Sequence, residues 1–132
     1  MTEPSVDHLA PADAIARFIA TGDDAVLDGV FARDVTIIEN FAPHIFRDAG
    51  TWRTAMHAHR APLADLAYAF APALDFTQKD GRAFFTIPVT WTGALRGRRF
   101  RELGGKSIVL QSEAGAWRVA AYAWSVIEMR FD

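Results

Sequence analysis

After Ala67 the apolar residues of this chain recur at every second position, in runs divided by tight-turn signals, and this pattern restricts the fold more than any other feature. Leu74, Phe76 and Gln78 alternate with Asp75 and Thr77. Lys79-Asp80-Gly81-Arg82 then reads as a hairpin turn, because Asp-Gly tolerates the positive φ that tight hairpins demand. Phe85, Ile87, Val89 and Trp91 share the next strand's apolar face, with Thr86 and Thr90 opposite. Pro88 interrupts that strand, so a bulge or an edge position is expected there. Arg96-Gly97-Arg98 turns the chain into a long strand over 99–111, where Gly104-Gly105 predicts a bulge. Glu113-Ala114-Gly115 turns into the last strand, from Trp117 to about Ile127. Three long strands with tight turns make an antiparallel meander.

The first third is helical in period. A helix is expected from Pro11, with Ile15, Phe18 and Ile19 as its apolar stripe and Gly22 as its stop. Asp23 or Asp24 can cap a second helix carrying Val26, Leu27, Val30 and Phe31. A third helix is expected over 51–60, with Trp52, Ala55, Met56 and His59 on one face. Pro62 ends or kinks it, and Leu63 and Leu66 extend the stripe through a further short segment. Helices first and a meander after them predict an α+β domain, with three N-terminal helices packed on one face of a curved antiparallel sheet.

Size and charge narrow the classes. A chain of 132 residues is read as one domain over 1–132, large enough to bury a core. Fourteen basic side chains against sixteen acidic ones leave no electrostatic footprint for nucleic acid. There is no cysteine, and no apolar run approaches the roughly 20 residues that span a bilayer. No signal peptide is visible, so a cytoplasmic protein without a membrane partner is expected.

Between the helices lies Val35-Thr36-Ile37-Ile38-Glu39-Asn40-Phe41-Ala42-Pro43-His44. Its first four residues are β-branched, which suits a packed strand. Glu39 follows directly, so its carboxylate is expected partly out of water, where its pKa rises towards neutrality. A pocket with Glu39 at its polar end follows, with Glu39 as general base. The alternative is a solvent-exposed carboxylate, or one paired with an arginine such as Arg60. His44 can pair with Glu39 or act as an acid near pH 7, or simply occupy a surface loop. Asn40 can hydrogen-bond a ligand carbonyl or cap a turn.

The order helix, helix, strand, helix, meander resembles the nuclear transport factor 2-like superfamily, which includes ketosteroid isomerase and the SnoaL-like cyclases. Thr21-Gly22-Asp23, Phe31-Ala32-Arg33-Asp34-Val35-Thr36 and Arg47-Asp48-Ala49-Gly50-Thr51 carry the resemblance. It implies a cystatin-like cone, closed by the helices around a deep apolar pocket. It also implies that Glu39 stands at the isomerase's catalytic carboxylate. The isomerase's oxyanion-hole tyrosine and aspartic acid fall at Phe18 and near Ser107. Phe18 cannot donate a hydrogen bond and Ser107 is a weaker donor than a neutral acid, a departure from the isomerase pattern. In the last strand Ala120, Tyr122 and Trp124 share one face, which the resemblance turns into the cone. Val119, Ala121, Ala123 and Ser125 share the other, where a second copy can lie flat.

Other motifs fall away. His57 and His59 are two apart and face different ways, and the H-E-x-x-H pattern is absent, so no metal is expected. Gly104-Gly105-Lys106-Ser107 echoes the end of a phosphate-binding loop, but Phe100 stands where its first glycine belongs. No cofactor is expected. The arginines at 96, 98, 99 and 101 read as a charged strand edge.

The reading is a homodimeric small-molecule isomerase, cyclase, dehydratase or hydrolase with Glu39 as base and His44, Asn40 or Tyr122 orienting or donating. Phe18, Ile37, Trp52, Met56, His59, Trp91, Ser107, Tyr122 and Trp124 are its expected ligand-binding residues. A non-catalytic carrier of a small apolar ligand and a structural dimerisation module are the alternatives.

Overall fold

The computed structural model describes residues 3–132. Two α-helices precede and interrupt the strands: α1 (Val6–Thr21) and α2 (Ala49–Arg60). The strands are β1 (Phe31–Ile38), β2 (Ile45–Phe46), β3 (Leu63–Phe70), β4 (Leu74–Lys79), β5 (Arg82–Leu95), β6 (Arg98–Glu113) and β7 (Ala116–Phe131). They form one curved sheet in the order β2-β1-β7-β6-β5-β3, with β4 also paired to β5.

The α+β expectation holds, with two corrections. The expected second helix is a single 3-10 turn, Asp24–Leu27, capped by Asp23. Gly29, with φ of 71°, ends it, and Val30 and Phe31 lead into β1 instead. The sheet is mixed rather than antiparallel, because β1 runs parallel to β7. A strand separated from its partner by the rest of the chain is free to approach in either direction, whereas β4, β5, β6 and β7, joined by two-residue turns, must run antiparallel. Those turns sit at Asp80-Gly81, Arg96-Gly97 and Ala114-Gly115, each pair at positive φ.

Boundaries also move. Helix α1 starts at Val6, because Ser5 and His8 form a reciprocal capping box and Gly22 closes the far end at φ 74°. Pro11 therefore lies inside the helix and leaves the carbonyl of Asp7 without its helical N–H. Leu63 and Leu66 belong to strand β3, not to a helical extension. Pro88 lies where β5's outer neighbour changes: Val89 pairs with Phe70 of β3, and Thr86 pairs with Leu74 of β4. Its carbonyl accepts from the amide of Ala71 in the link between them, so the missing N–H faces a break in the ladder.

Two register shifts shape β7. Opposite Leu103 and Gly104 the extra residue is Ile127, so the irregularity expected at the glycines is on the facing strand. Opposite Val109 and Leu110 the extra residue is Ala120. That bulge reverses the side-chain alternation, so Val119 and Tyr122 both face the core while Ala120 turns outward to line a polar groove with Arg33 and Arg82. The expected grouping of Ala120 with Tyr122 and of Val119 with Ala121 is thereby corrected.

The core lies between the concave sheet face and the helices. Ile15, Phe18, Ile37, Trp52, Phe85, Ile108, Leu110 and Val119 are fully buried there. Helix α1 packs on β3 and β7, and α2 packs on β1. Arg60, at the end of α2, donates to the carbonyls of Ile19 and Ala20, which ties the two helices at their C-terminal ends. Among the described residues, no helix is long and apolar enough to cross a membrane.

Candidate active site

Strand β1 alternates, with Val35, Ile37 and then Glu39 turned inward while Ile38 is 44% exposed. Glu39 thus continues the inward face one residue past the strand end and is only 5% exposed. Its Oε2 accepts two hydrogen bonds, one from the Trp52 indole N–H at 2.8 Å and one from the Tyr122 hydroxyl. Among the described residues Oε1 accepts none. Burial pushes the carboxyl above the ordinary carboxylate range, and the two hydrogen bonds and the charge of Lys106 bring it part of the way back. Burial in the core, and then the neighbouring Glu39 carboxylate, drive the Tyr122 hydroxyl well above its usual range, so it remains a donor.

Glu39 stands on the wall of a cavity of about 430 Å³ between the sheet and the helix ends. Met56 and His59 reach it from α2, Leu63 and Leu66 from β3, Trp91 and Leu95 from β5, and Tyr122, Trp124 and Met129 from β7. The wall is predominantly apolar. At its edge the Phe41 and His59 rings stack with centroids 4.1 Å apart. Partial burial holds the His59 imidazole below its usual pKa. Asn40 is exposed beside Phe41 and also borders the cavity.

Several expected lining residues stand elsewhere. Phe18 and Ile37 are fully buried in the core rather than on the cavity wall. Trp52 is also fully buried, packed against Phe18 and Phe31, and it meets the site through its N–H to Glu39 and an edge contact with the Tyr122 ring. Ser107 faces the opposite side of β6, where its hydroxyl bonds Thr86 at 2.9 Å. The alternation of β6 puts Lys106 and Ile108 inward, so a position counted one residue off lands on the outer face. His44 is exposed in the turn after β1, with φ of 72°, and its ring contacts the backbone carbonyl of Glu39 at 3.1 Å. Its side chain does not line the cavity. Arg60 caps α1 rather than pairing with Glu39. His57 contacts Asp24 at 2.9 Å, away from the site.

Four charged side chains absent from the expected set also line the cavity: Arg60 and Arg96 at its border, and Lys106 and Glu102 on β6. Lys106 is 2% exposed, lines the cavity and has no hydrogen-bond partner at Nζ among the described residues. Burial pushes its pKa down to about 8, against the attraction of Glu39. A lysine in phase with Ile108 and Leu110 on an alternating strand was the available signal. Glu102, four residues earlier on the same face, also lines the cavity, and burial raises its carboxyl. It pairs across the sheet with Trp91 and Met129. The cavity therefore holds two desolvated carboxyls and a buried amine on an apolar wall, and among the described residues one oxygen of Glu39 and the amine have no hydrogen-bond partner.

No family model matches the chain, and no curated protein matches it either. Solved structures do. A hexachlorocyclohexane dehydrochlorinase (LinA) type 2 superposes with a TM-score of 0.84 at 6% identity, over 96% of this chain and 86% of that one. A Caulobacter vibrioides protein with a cystatin-like fold gives 0.74 at 14% identity, over 92% and 88% of the two chains. A nuclear transport factor 2-like protein from Cytophaga hutchinsonii gives 0.70 at 14% identity, over 91% and 95%. At such identities the likeness is one of architecture, and the chain has the nuclear transport factor 2-like, cystatin-like fold.

Proposed function

We propose that this protein converts a small apolar molecule by proton abstraction, with Glu39 as the general base. The observation that carries this reading is the asymmetry of Glu39: Trp52 and Tyr122 hold Oε2, while Oε1 is left to take a proton from a substrate in the cavity. Burial makes the carboxylate a stronger base than an exposed glutamate, and Tyr122 keeps it oriented. Asn40 borders the cavity, and in this reading its amide bonds a substrate's polar end. Isomerisation, cyclisation, dehydration and hydrolysis can all begin with such a proton transfer, to Glu39 directly or from a water that it activates. Dehydrochlorination, the activity named for one structural neighbour, likewise removes a proton from carbon.

The test is exchange of carbon-bound hydrogen. A panel of apolar ketones and ring compounds is incubated with the protein in heavy water and followed by NMR. Catalysed exchange that Glu39→Gln abolishes supports the reading; exchange unchanged in that variant overturns it. The apolar wall also favours a second reading, a carrier that binds such compounds without converting them, for which the same panel would show binding and no exchange. A homodimer through the outer sheet face is part of the proposal, since Ala121, Ala123 and Ser125 leave that face of β7 low. Sedimentation of the purified chain tests it.

A further inference from the structure

We propose that Lys106 is a nucleophilic amine that condenses with an aldehyde or ketone in the cavity, so that the substrate is held as an imine beside Glu39. The inference rests on the cavity reading above and names the substrate class. A buried polar group ordinarily has a hydrogen-bond partner, and among the described residues Nζ of Lys106 has none. It lies on the cavity wall, 5.1 Å from the centroid of the Tyr122 ring, on a strand whose neighbours Ile108 and Leu110 are fully buried. Glu39 lies close enough to act on its charge. An amine in an apolar site is activated because desolvation favours its neutral, nucleophilic form. With its pKa near 8, about half of the Lys106 side chains carry a lone pair at that pH, against well under about 1% for an exposed lysine. The flexible four-carbon stem lets Nζ reach a carbonyl carbon seated in the cavity.

The chemistry closes without a further reactant. Nζ attacks the carbonyl carbon, a C–N bond forms, the C=O π pair moves to oxygen, and one Nζ proton passes to that oxygen to give the carbinolamine. The protonated form of the Glu39 carboxyl gives its proton to the hydroxyl, the C–O bond breaks as water leaves, and the nitrogen lone pair closes the C=N bond of a protonated imine, with Glu39 now a carboxylate. Glu39 Oε1 then removes a proton from the adjacent carbon. The C–H pair becomes a C=C bond and the C=N π pair returns to nitrogen, giving a neutral enamine. The positive nitrogen makes that proton far easier to remove than it is in the parent ketone.

Lys79 and Lys106 are the chain's two lysines, which makes the test clean. Lys79 is exposed at the end of β4 and serves as the internal control. The purified full chain is incubated with 1-phenylbutane-1,3-dione, which traps reactive amines as stable enaminones with loss of one water. Intact-mass analysis and peptide mapping then locate the adduct. One adduct at Lys106, formed at least about tenfold faster than at Lys79 and faster as pH rises towards 8, is the expected result. An adduct absent from Lys106, or formed no faster there than at Lys79, overturns the proposal. Lys79→Arg should keep the Lys106 label and Lys106→Met should lose it. The label reads the amine and not turnover, so its absence leaves the Glu39 base standing. A Glu39→Gln variant that stops exchange but still labels at Lys106 supports the amine independently.

Discussion

The amine of Lys106 sits 5.1 Å from the centroid of the Tyr122 ring and finds no hydrogen-bond partner among the described residues, while the hydroxyl of the same tyrosine is committed to Glu39. The π face gives the buried cation some attraction, but less than a hydrogen-bonded carboxylate would. Tyr122 thus divides the site, holding the Glu39 carboxylate with its hydroxyl and facing the amine with its ring. Such an arrangement costs stability, and the cost is measurable.

Lys106→Met should stabilise the protein. The folded-state pKa of about 8 lies below the unfolded value near 10.4, so the folded state binds its proton less tightly than the unfolded state. A group with its pKa lowered in this way gives stability that is present above the unfolded pKa and lost as pH falls through 8. At pH 7 the substitution should therefore gain about 1–3 kcal/mol, shrinking towards zero near pH 10. Urea melts at pH 7 and at pH 9.5 check this; equal gains at both would show that titration is not the cause.

Glu39→Gln should abolish proton exchange, by about 100-fold or more, without unfolding the chain. Glutamine keeps an oxygen that can accept from Trp52 and Tyr122. The carboxyl's pKa is raised on folding, so its contribution to stability is full below the unfolded value and is lost as pH rises through the folded one. The variant should then match or exceed wild type in melting temperature at pH 7. A loss of several degrees there would count against a desolvated carboxylate.

Tyr122→Phe removes one of the two donors that draw the Glu39 pKa down. The acid limb of the exchange profile should move to higher pH. Stability at pH 7 should drop by about 1–3 kcal/mol, the range for a hydrogen bond to a charged group. A pH titration of exchange, compared with wild type, reads the shift.

Gly104→Ala should destabilise the fold by about 1–3 kcal/mol. A Cβ there would come within 2.4 Å of the Trp124 ring and 2.6 Å of the Ser125 carbonyl oxygen. Trp124 is also a cavity wall, so ligand affinity should fall along with the melting temperature. Gly105→Ala is its control, since its nearest neighbour is Thr86 at 3.7 Å.

Alternation and turn chemistry made the meander legible. Asp80-Gly81 and Arg96-Gly97 adopt the left-handed conformations that two-residue turns require, and the apolar face of β5 follows from its own spacing. The 3-10 turn after α1 was less legible, because four residues of apolar period suit either helix type and Gly29 lies within the pattern. Glu39 is legible from its place at the end of an inward-facing run. Lys106 is hard to read from sequence because Gly104-Gly105-Lys106-Ser107 resembles a loop motif, although its phase with Ile108 and Leu110 marks it as inward-facing.

By itself, this sequence determined which faces are apolar, where the chain turns and which carboxylate ends the first strand. Those are local consequences of spacing and backbone preference. Only the tertiary structure decided that β1 runs parallel to β7, that a bulge at Ala120 turns Tyr122 and Val119 to the same side, and that Ser107 faces away from the cavity. Register and strand direction depend on pairings between residues far apart in the chain, and a shift of one residue exchanges inside for outside.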